Sequence, residues 1–245
     1  MLTTALYLLI MAPLILAYFV IFAAVFFVTR PFDRELRVIH AMATFWSRHM
    51  LLGMLPGWSR RVEGAENIAK GTPYVIVANH QSMVDIPLLY SLPLHFKWVS
   101  KKEVYRWPFF GIVLWMQDGI AIERGSKSSV TKMLHDGKAH IDNGVSVAVF
   151  PEGTRSKDLE IHRFKDGAFV LARHAGVGVL PCVMEGSGDL MNRGRLPWRR
   201  RFVVRVLPPV SAERVAESDP KLLAEEVRES MVEALADVRA RMKKK

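Results

Sequence analysis

The chain is expected to fold as an α/β domain, a mostly parallel sheet flanked by helices, behind an N-terminal pair of membrane-embedded helices. Three observations carry that expectation. Residues 1–29 hold no Asp, Glu, Lys, Arg or His, and 25 of those 29 are apolar. Beyond Pro56-Gly57, short apolar runs alternate with longer mixed segments, the pattern of buried strands joined by crossover helices. The most unusual polar clusters follow directly after those runs, where open α/β sheets gather functional residues.

Composition agrees with two parts in one chain. The 245 residues include 34 Lys and Arg against 24 Asp and Glu, a formal charge of +10, and half of them are apolar. Without the first 29 residues the apolar share falls to roughly 45 %, ordinary for a globular domain. A disordered protein, a polytopic channel and a collagen-like fibre are excluded. Cys182 is the single cysteine. It excludes an internal disulfide framework and a cysteine-based zinc cluster, and it fits a reducing compartment.

From Leu2 to Val28 a helix would reach ~40 Å at ~1.5 Å per residue, enough for a hydrocarbon core of ~30 Å. Nothing basic precedes it, and it is too long and too bulky at its end for a cleaved signal peptide. Arg30, Arg34, Arg37, Arg48, Arg60 and Arg61 follow. The positive-inside tendency then places the rest of the chain on the cytoplasmic face of a cell inner membrane or its equivalent. Pro13 removes a backbone donor, which leaves open whether the helix crosses or dips into one leaflet. Residues 33–55 read as a second helix with Leu36, Ile39, Ala43, Trp46 and Met50 as an apolar stripe. Beside so greasy a neighbour, that stripe is assigned to the membrane interface with Trp46 at headgroup depth; a helix docked on the globular core is the alternative. Residues 1–56 are thus expected to anchor, and 57–245 to form the α/β domain.

Tyr74–Ala78, Phe96–Val99, Gly119–Ile122, Val145–Phe150 and Val179–Val183 read as buried strands, with Phe202–Leu207 as a further one. Helices are expected near Ile86–Ser91, Ser128–Asn143 and Phe164–His174. Pro220–Arg241 closes the chain with Leu222, Leu223, Val227, Met231, Leu235 and Val238 as its stripe. No repeat and no low-complexity linker interrupts the pattern.

Four strand ends carry the chemistry. After Tyr74–Ala78 comes Asn79-His80-Gln81-Ser82-Met83-Val84-Asp85. If the chain turns there, Asp85 can accept from one imidazole nitrogen of His80 and leave the other to take a proton. After Val145–Phe150 comes Pro151-Glu152-Gly153-Thr154-Arg155-Ser156. Gly153 permits an unusual dihedral, Arg155 offers a planar fork suited to phosphate, and Thr154 and Ser156 offer hydroxyls. Gly119–Ile122 is followed by Glu123 and Arg124, and Phe96–Val99 by Lys101 and Lys102. Each cluster alone reads equally well as a polar turn or a surface ion pair; their placement on one sheet edge is the argument.

These motifs, in this order over roughly residues 60–210, resemble the membrane-bound glycerolipid acyltransferase family. His80 to Asp85 is similar to its His-x4-Asp block, and Gly119 to Arg124 to its second. Phe150 to Ser156 matches the third in full, and Val179-Leu180-Pro181 resembles the fourth. The resemblance implies acyl transfer from a thioester, acyl-coenzyme A or acyl carrier protein, to the sn-2 hydroxyl of lysophosphatidic acid or a related lysophospholipid. It implies His80 as the base and Asp85 as its orienter, without an acyl-enzyme, a cofactor or a metal. It also implies Arg124 and Arg155 as phosphate holders, with Glu152, Gly153 and Thr154 shaping their site and Lys101 or Lys102 assisting. Ala121, Glu123, Met83 and Cys182 depart from the usual family residues, which bears on acceptor selectivity. A lipid-handling protein without catalysis is the rival, and intact His80 and Asp85 favour the enzyme.

Arg193, Arg195, Arg199, Arg200, Arg201 and Arg205 crowd into thirteen residues. With no nucleic-acid motif beside them, anionic lipid headgroups or coenzyme A phosphates suit this patch better than nucleic acid. His135 and His140 would lie ~140° apart on one helix, the wrong spacing for a shared metal.

Overall fold

The computed structural model describes residues 2–51, 57–123, 125–188, 190 and 197–243. Helix α1 (Leu2–Thr29) is followed by α2 (Arg37–Phe45), which runs on into a π-helical turn, Trp46–Leu51. The domain then comprises β1 (Gly57–Glu63), β2 (Val75–Ala78), α3 (Asp85–Leu89), β3 (Phe96–Lys101), α4 (Phe110–Met116), β4 (Ile120–Ile122), α5 (Lys127–Asp142), β5 (Ser146–Val149), α6 (Gly167–Ala175), β6 (Val179–Glu185), β7 (Arg199–Val206), α7 (Ala212–Glu217) and α8 (Pro220–Lys243).

The seven strands form one sheet in the order β1-β7-β6-β2-β5-β3-β4. β6, β2, β5, β3 and β4 run parallel, because a helix or helical turn carries the chain back between successive strands. β7 turns antiparallel onto β6, and β1 pairs parallel with β7. The central strands are the expected apolar runs: every residue of β2 is buried. β1 was not anticipated. Its sequence Gly-Trp-Ser-Arg-Arg-Val-Glu is polar because it forms an edge, only half covered.

One core lies on each face of the sheet. The first joins Phe22 and Phe26 of α1, Leu36 and Ile39 at α2, and Leu88, Phe96, Trp98 and Leu114. The second gathers Val75, Val77, Val147, Phe169, Leu171 and the α8 stripe at Leu223, Val227, Met231 and Leu235.

The N-terminus corrects the expectation of a membrane-embedded pair. Only α1 is long and apolar enough to cross a membrane among the described residues, and just 17 % of its apolar window is buried in protein. A soluble core helix would be mostly covered, so α1 accounts for membrane association. The stripe of the second helix instead faces protein: Leu36, Ile39 and Ala43 are buried. The Trp46 ring stacks on Tyr18 of α1 at 4.3 Å. Polar ties reinforce the docking. Glu35 accepts from Asn143 at 2.7 Å and pairs with His140 at 3.0 Å, and Arg48 donates to the carbonyls of Tyr90 and Ser91 at the end of α3. Periodicity identifies which face of a helix is apolar, and says nothing about whether lipid or protein covers it.

Candidate active site

Parallel pairing of β6, β2, β5, β3 and β4 puts their carboxyl ends on one edge of the sheet. The sequence motifs after β2, β5 and β3 therefore become neighbours, as the order of the strands requires.

His80 Nδ1 lies 2.9 Å from Asp85 Oδ2. The chain reverses between them, and that same oxygen accepts the backbone N–H groups of Gln81 at 2.6 Å and Ser82 at 2.8 Å. The other oxygen, Oδ1, accepts the hydroxyl of Ser187 from the end of β6. Asp85 is completely buried. A carboxyl group surrounded only by donors is a carboxylate, so His80 Nδ1 must carry the proton toward it and Nε2 keeps its lone pair.

The ring is also held by its faces. Phe150 stacks flat on His80, 3.9 Å away at 6°, and Trp98 stacks on Phe150 at 5.2 Å. The backbone is held in turn. His80 N–H donates to Glu152 Oε1 at 3.1 Å, the His80 carbonyl accepts from Ser156 N–H at 2.7 Å, and Asn79 exchanges two hydrogen bonds with the backbone of Met184. Glu152 Oε2 also takes the N–H of His162 at 3.1 Å. Burial pushes the Glu152 carboxyl up in pKa, and the His162 and His80 donors pull it back.

The other expected site residues occupy distinct positions. Gly153 takes φ 69°, where glycine pays no steric penalty, and its N–H donates to the Phe150 carbonyl at 3.0 Å. That amide is thus engaged by the loop itself. Thr154 and Arg155 are exposed on the same loop. Lys101 ends β3, and Lys102 pairs with Glu123 at 2.9 Å on the surface. Arg124, with Arg193 and Arg195 of the basic cluster, lies outside the described residues. Of the rest of that cluster, Arg205 is occupied by Glu63 at 2.9 Å and Asp237 at 2.6 Å, and Arg200 Nε donates to the Gly186 carbonyl. His135 pairs with Asp136 while His140 faces Glu35, so the two histidines have separate partners.

Two alternative nucleophiles are disposed of by position. Cys182 is fully buried inside β6 opposite Ala78, and burial pushes its thiol up in pKa. Ser82 supports the turn, its N–H on Asp85 and its Oγ accepting from Val84 N–H at 3.4 Å.

Sequence reasoning missed Ser187 and the stacking role of Phe150. The small run Gly186-Ser187-Gly188 after a buried strand was the available signal. A Cβ at Gly186 would meet the Arg201 carbonyl oxygen at 2.2 Å, so the backbone there passes close enough to β7 to exclude larger residues.

The sequence block that builds this edge also decides the lineage: a family model described as Acyltransferase matches residues 59–185. The chain belongs to the acyltransferase family. Among acyltransferases it resembles, a chloroplastic 1-acyl-sn-glycerol-3-phosphate acyltransferase of Arabidopsis thaliana is 36 % identical over 165 residues, 67 % of this chain and 45 % of that protein. The alpha 1-acyl-sn-glycerol-3-phosphate acyltransferase of Ovis aries is 35 % identical over 196 residues, 78 % of this chain and 68 % of that one. This acyltransferase spans about half the length of the plant relatives it matches. The crystal structure of the 1-acyl-sn-glycerophosphate (LPA) acyltransferase PlsC from Thermotoga maritima superposes with a TM-score of 0.75 at 26 % identity, over 98 % of this chain and 96 % of that one.

Proposed function

We propose that the chain transfers a fatty acyl group from a thioester to the sn-2 hydroxyl of lysophosphatidic acid, giving phosphatidic acid. The observation that carries this reading is the 2.9 Å contact of His80 Nδ1 with a buried, fully hydrogen-bonded Asp85. The activity of the relatives supplies the substrate class.

In the proposed reaction His80 Nε2 takes the proton of the acceptor hydroxyl as its oxygen attacks the thioester carbonyl carbon. Asp85 stabilises the resulting imidazolium without itself taking the proton, and Phe150 and Glu152 keep the ring in place. The tetrahedral oxyanion collapses, the carbon–sulfur bond breaks, and the departing thiolate receives the proton from His80. No acyl-enzyme forms. Arg155, and Arg124 by the resemblance of its motif, hold the acceptor phosphate as bidentate partners, with Thr154, Lys101 and Lys102 at its margin. Acyl-coenzyme A or acyl carrier protein is the donor, and no cofactor is needed for direct transfer. Helix α1 anchors the enzyme, and the α/β domain, with α2 docked on its first core, carries the chemistry. Arg30, Arg34 and Arg37 favour a cytoplasm-facing domain on a membrane containing anionic lipids.

The test is turnover by the full chain in vesicles, with lysophosphatidic acid and labelled acyl-coenzyme A or acyl carrier protein. His80→Ala should lower turnover by roughly 10²–10⁴-fold, the span of a lost general base, with the fold and membrane association retained and unfolding easier by about 1–3 kcal/mol, the cost of removing a donor from the buried Asp85 carboxylate. Near-normal turnover in that variant would overturn the mechanism. No product from wild-type protein with any lysolipid would leave a lipid-binding role.

A further inference from the structure

We propose that the aromatic face of α4 and the 3-10 turn before it is a second membrane contact, buried in lipid beside α1. Trp107, Phe109, Ile112 and Trp115 are 49, 56, 47 and 58 % exposed, although they are large and apolar and lie close together in the chain. An isolated exposed apolar residue is unremarkable; a cluster of four, two of them tryptophan, marks an interaction surface.

Lipid is the occupant because the face is continuous with α1. Phe109 meets Phe19 edge-on at 5.5 Å, and Trp115 meets Phe26 at 5.3 Å. Those two α1 positions are seven residues apart, about 10 Å along the helix axis. The α4 face therefore lies alongside the carboxyl-terminal part of α1 at the same depth. Val20, Ile21, Phe27 and Val28 of α1 are exposed over that same stretch. Lipid that covers them must also cover their neighbours on α4. The rim is basic: Arg30, Arg34 and Arg106 are exposed where headgroup phosphates would lie.

The backbone supports an outward role for one of these rings. Phe109 sits at φ 59°, a region bulky residues seldom occupy. This conformation holds the ring against Phe19 instead of letting it fold into the first core. The seat has a functional direction as well. The 3-10 turn, Lys102–Arg106, begins directly after Lys101 at the carboxyl end of β3, next to the β5 end that carries Pro151–Ser156. A domain seated on this face holds its reactive sheet edge at the lipid surface. The inference depends on α1 lying in lipid, and not on which acceptor is acylated.

The test is depth measurement on the full chain in phosphatidylethanolamine–phosphatidylglycerol vesicles. Cys182 is inaccessible, so a nitroxide placed through Ile112→Cys labels one site; Lys138→Cys on α5 is the control on the opposite face of the sheet. The label at 112 should relax with dissolved oxygen and be shielded from a water-soluble nickel chelate, with the reverse at 138. Equal nickel access at both positions would overturn the proposal. Dipolar broadening at 112 that disappears on dilution with unlabelled chain would also overturn it, by showing a second copy on this face. As a check without a label, quenching of tryptophan fluorescence by chain-brominated lipids should fall in the variant carrying Trp107→Phe and Trp115→Phe. Undiminished quenching would count against the proposal.

Discussion

Ser187 donates its hydroxyl to Oδ1 of Asp85 across 102 residues of sequence, on the side of the carboxylate opposite His80. The pairing of β6 with β2 makes that reach, since the strand ends carry the two side chains to the same depth of the sheet edge. Ser187→Ala leaves a fully buried carboxylate oxygen without this donor. Unfolding should become easier by about 1–3 kcal/mol, the cost of an unpaired buried polar group. Turnover should fall through kcat with KM unchanged, because the side chain acts on Asp85 and not on substrate. An unaltered melting temperature and kcat would remove Ser187 from the site.

Glu152 spans the His80 and His162 amides, so its loss is expected to move the base and not the substrate. Glu152→Ala frees both amides and should lower kcat by roughly 10–100-fold, the scale of a sub-ångström to 1 Å misplacement. Glu152→Gln keeps one carbonyl acceptor and should recover part of the loss. Identical kinetics for the two variants would show that hydrogen bonding at this position is irrelevant to His80.

Arg155 is exposed. Arg155→Ala should leave thermal unfolding unchanged and raise KM for lysophosphatidic acid about 10–100-fold, as expected for a charge-assisted contact worth ~1.5–3 kcal/mol. Arg155→Lys should restore charge without the planar fork and recover only part. A KM insensitive to both changes would place the phosphate elsewhere.

Stability should decline on mild acidification. Burial holds His40 down to about 4 and His95 down to about 3, and Lys97 and Arg48 add positive charge around His40. In the unfolded chain both rings return to about 6.5. Between pH 6.5 and 4 the unfolded state therefore binds more protons, and stability falls as pH drops through that window while being fully present above it. His95→Phe should flatten the slope. Unfolding by urea in detergent micelles at several pH values measures it, and a flat profile for the wild type would refute it.

Legibility differed by element for physical reasons. β2, β3, β5 and β6 announced themselves because strands covered on both faces are predominantly apolar, the buried Lys97 of β3 being satisfied by the carbonyls of Glu35 and Gln117. β1 could not, since Ser59, Arg60 and Arg61 are acceptable only on an edge whose partner, β7, lies some 140 residues later. The stripe at Leu36, Ile39 and Ala43 was legible, and its cover was not, because helix periodicity is the same against lipid and against Phe96. At the site, the five-residue spacing brought out the His80–Asp85 pair. Ser187, Phe150 and the bridging of Glu152 depend on neighbouring strands, and no local pattern encodes which strands adjoin.

The sheet's order also governs how copies of this chain treat one another. A sheet with open edges offers backbone donors and acceptors to any similar chain. Here one edge, β4, is three residues long, and the other, β1, carries two consecutive arginines. Neither is a flat apolar template for intermolecular strand addition. A protein obliged to expose a long greasy helix at one end is thereby guarded against cross-β stacking along its flanks, so misassembly on overexpression should proceed through α1 and yield to detergent.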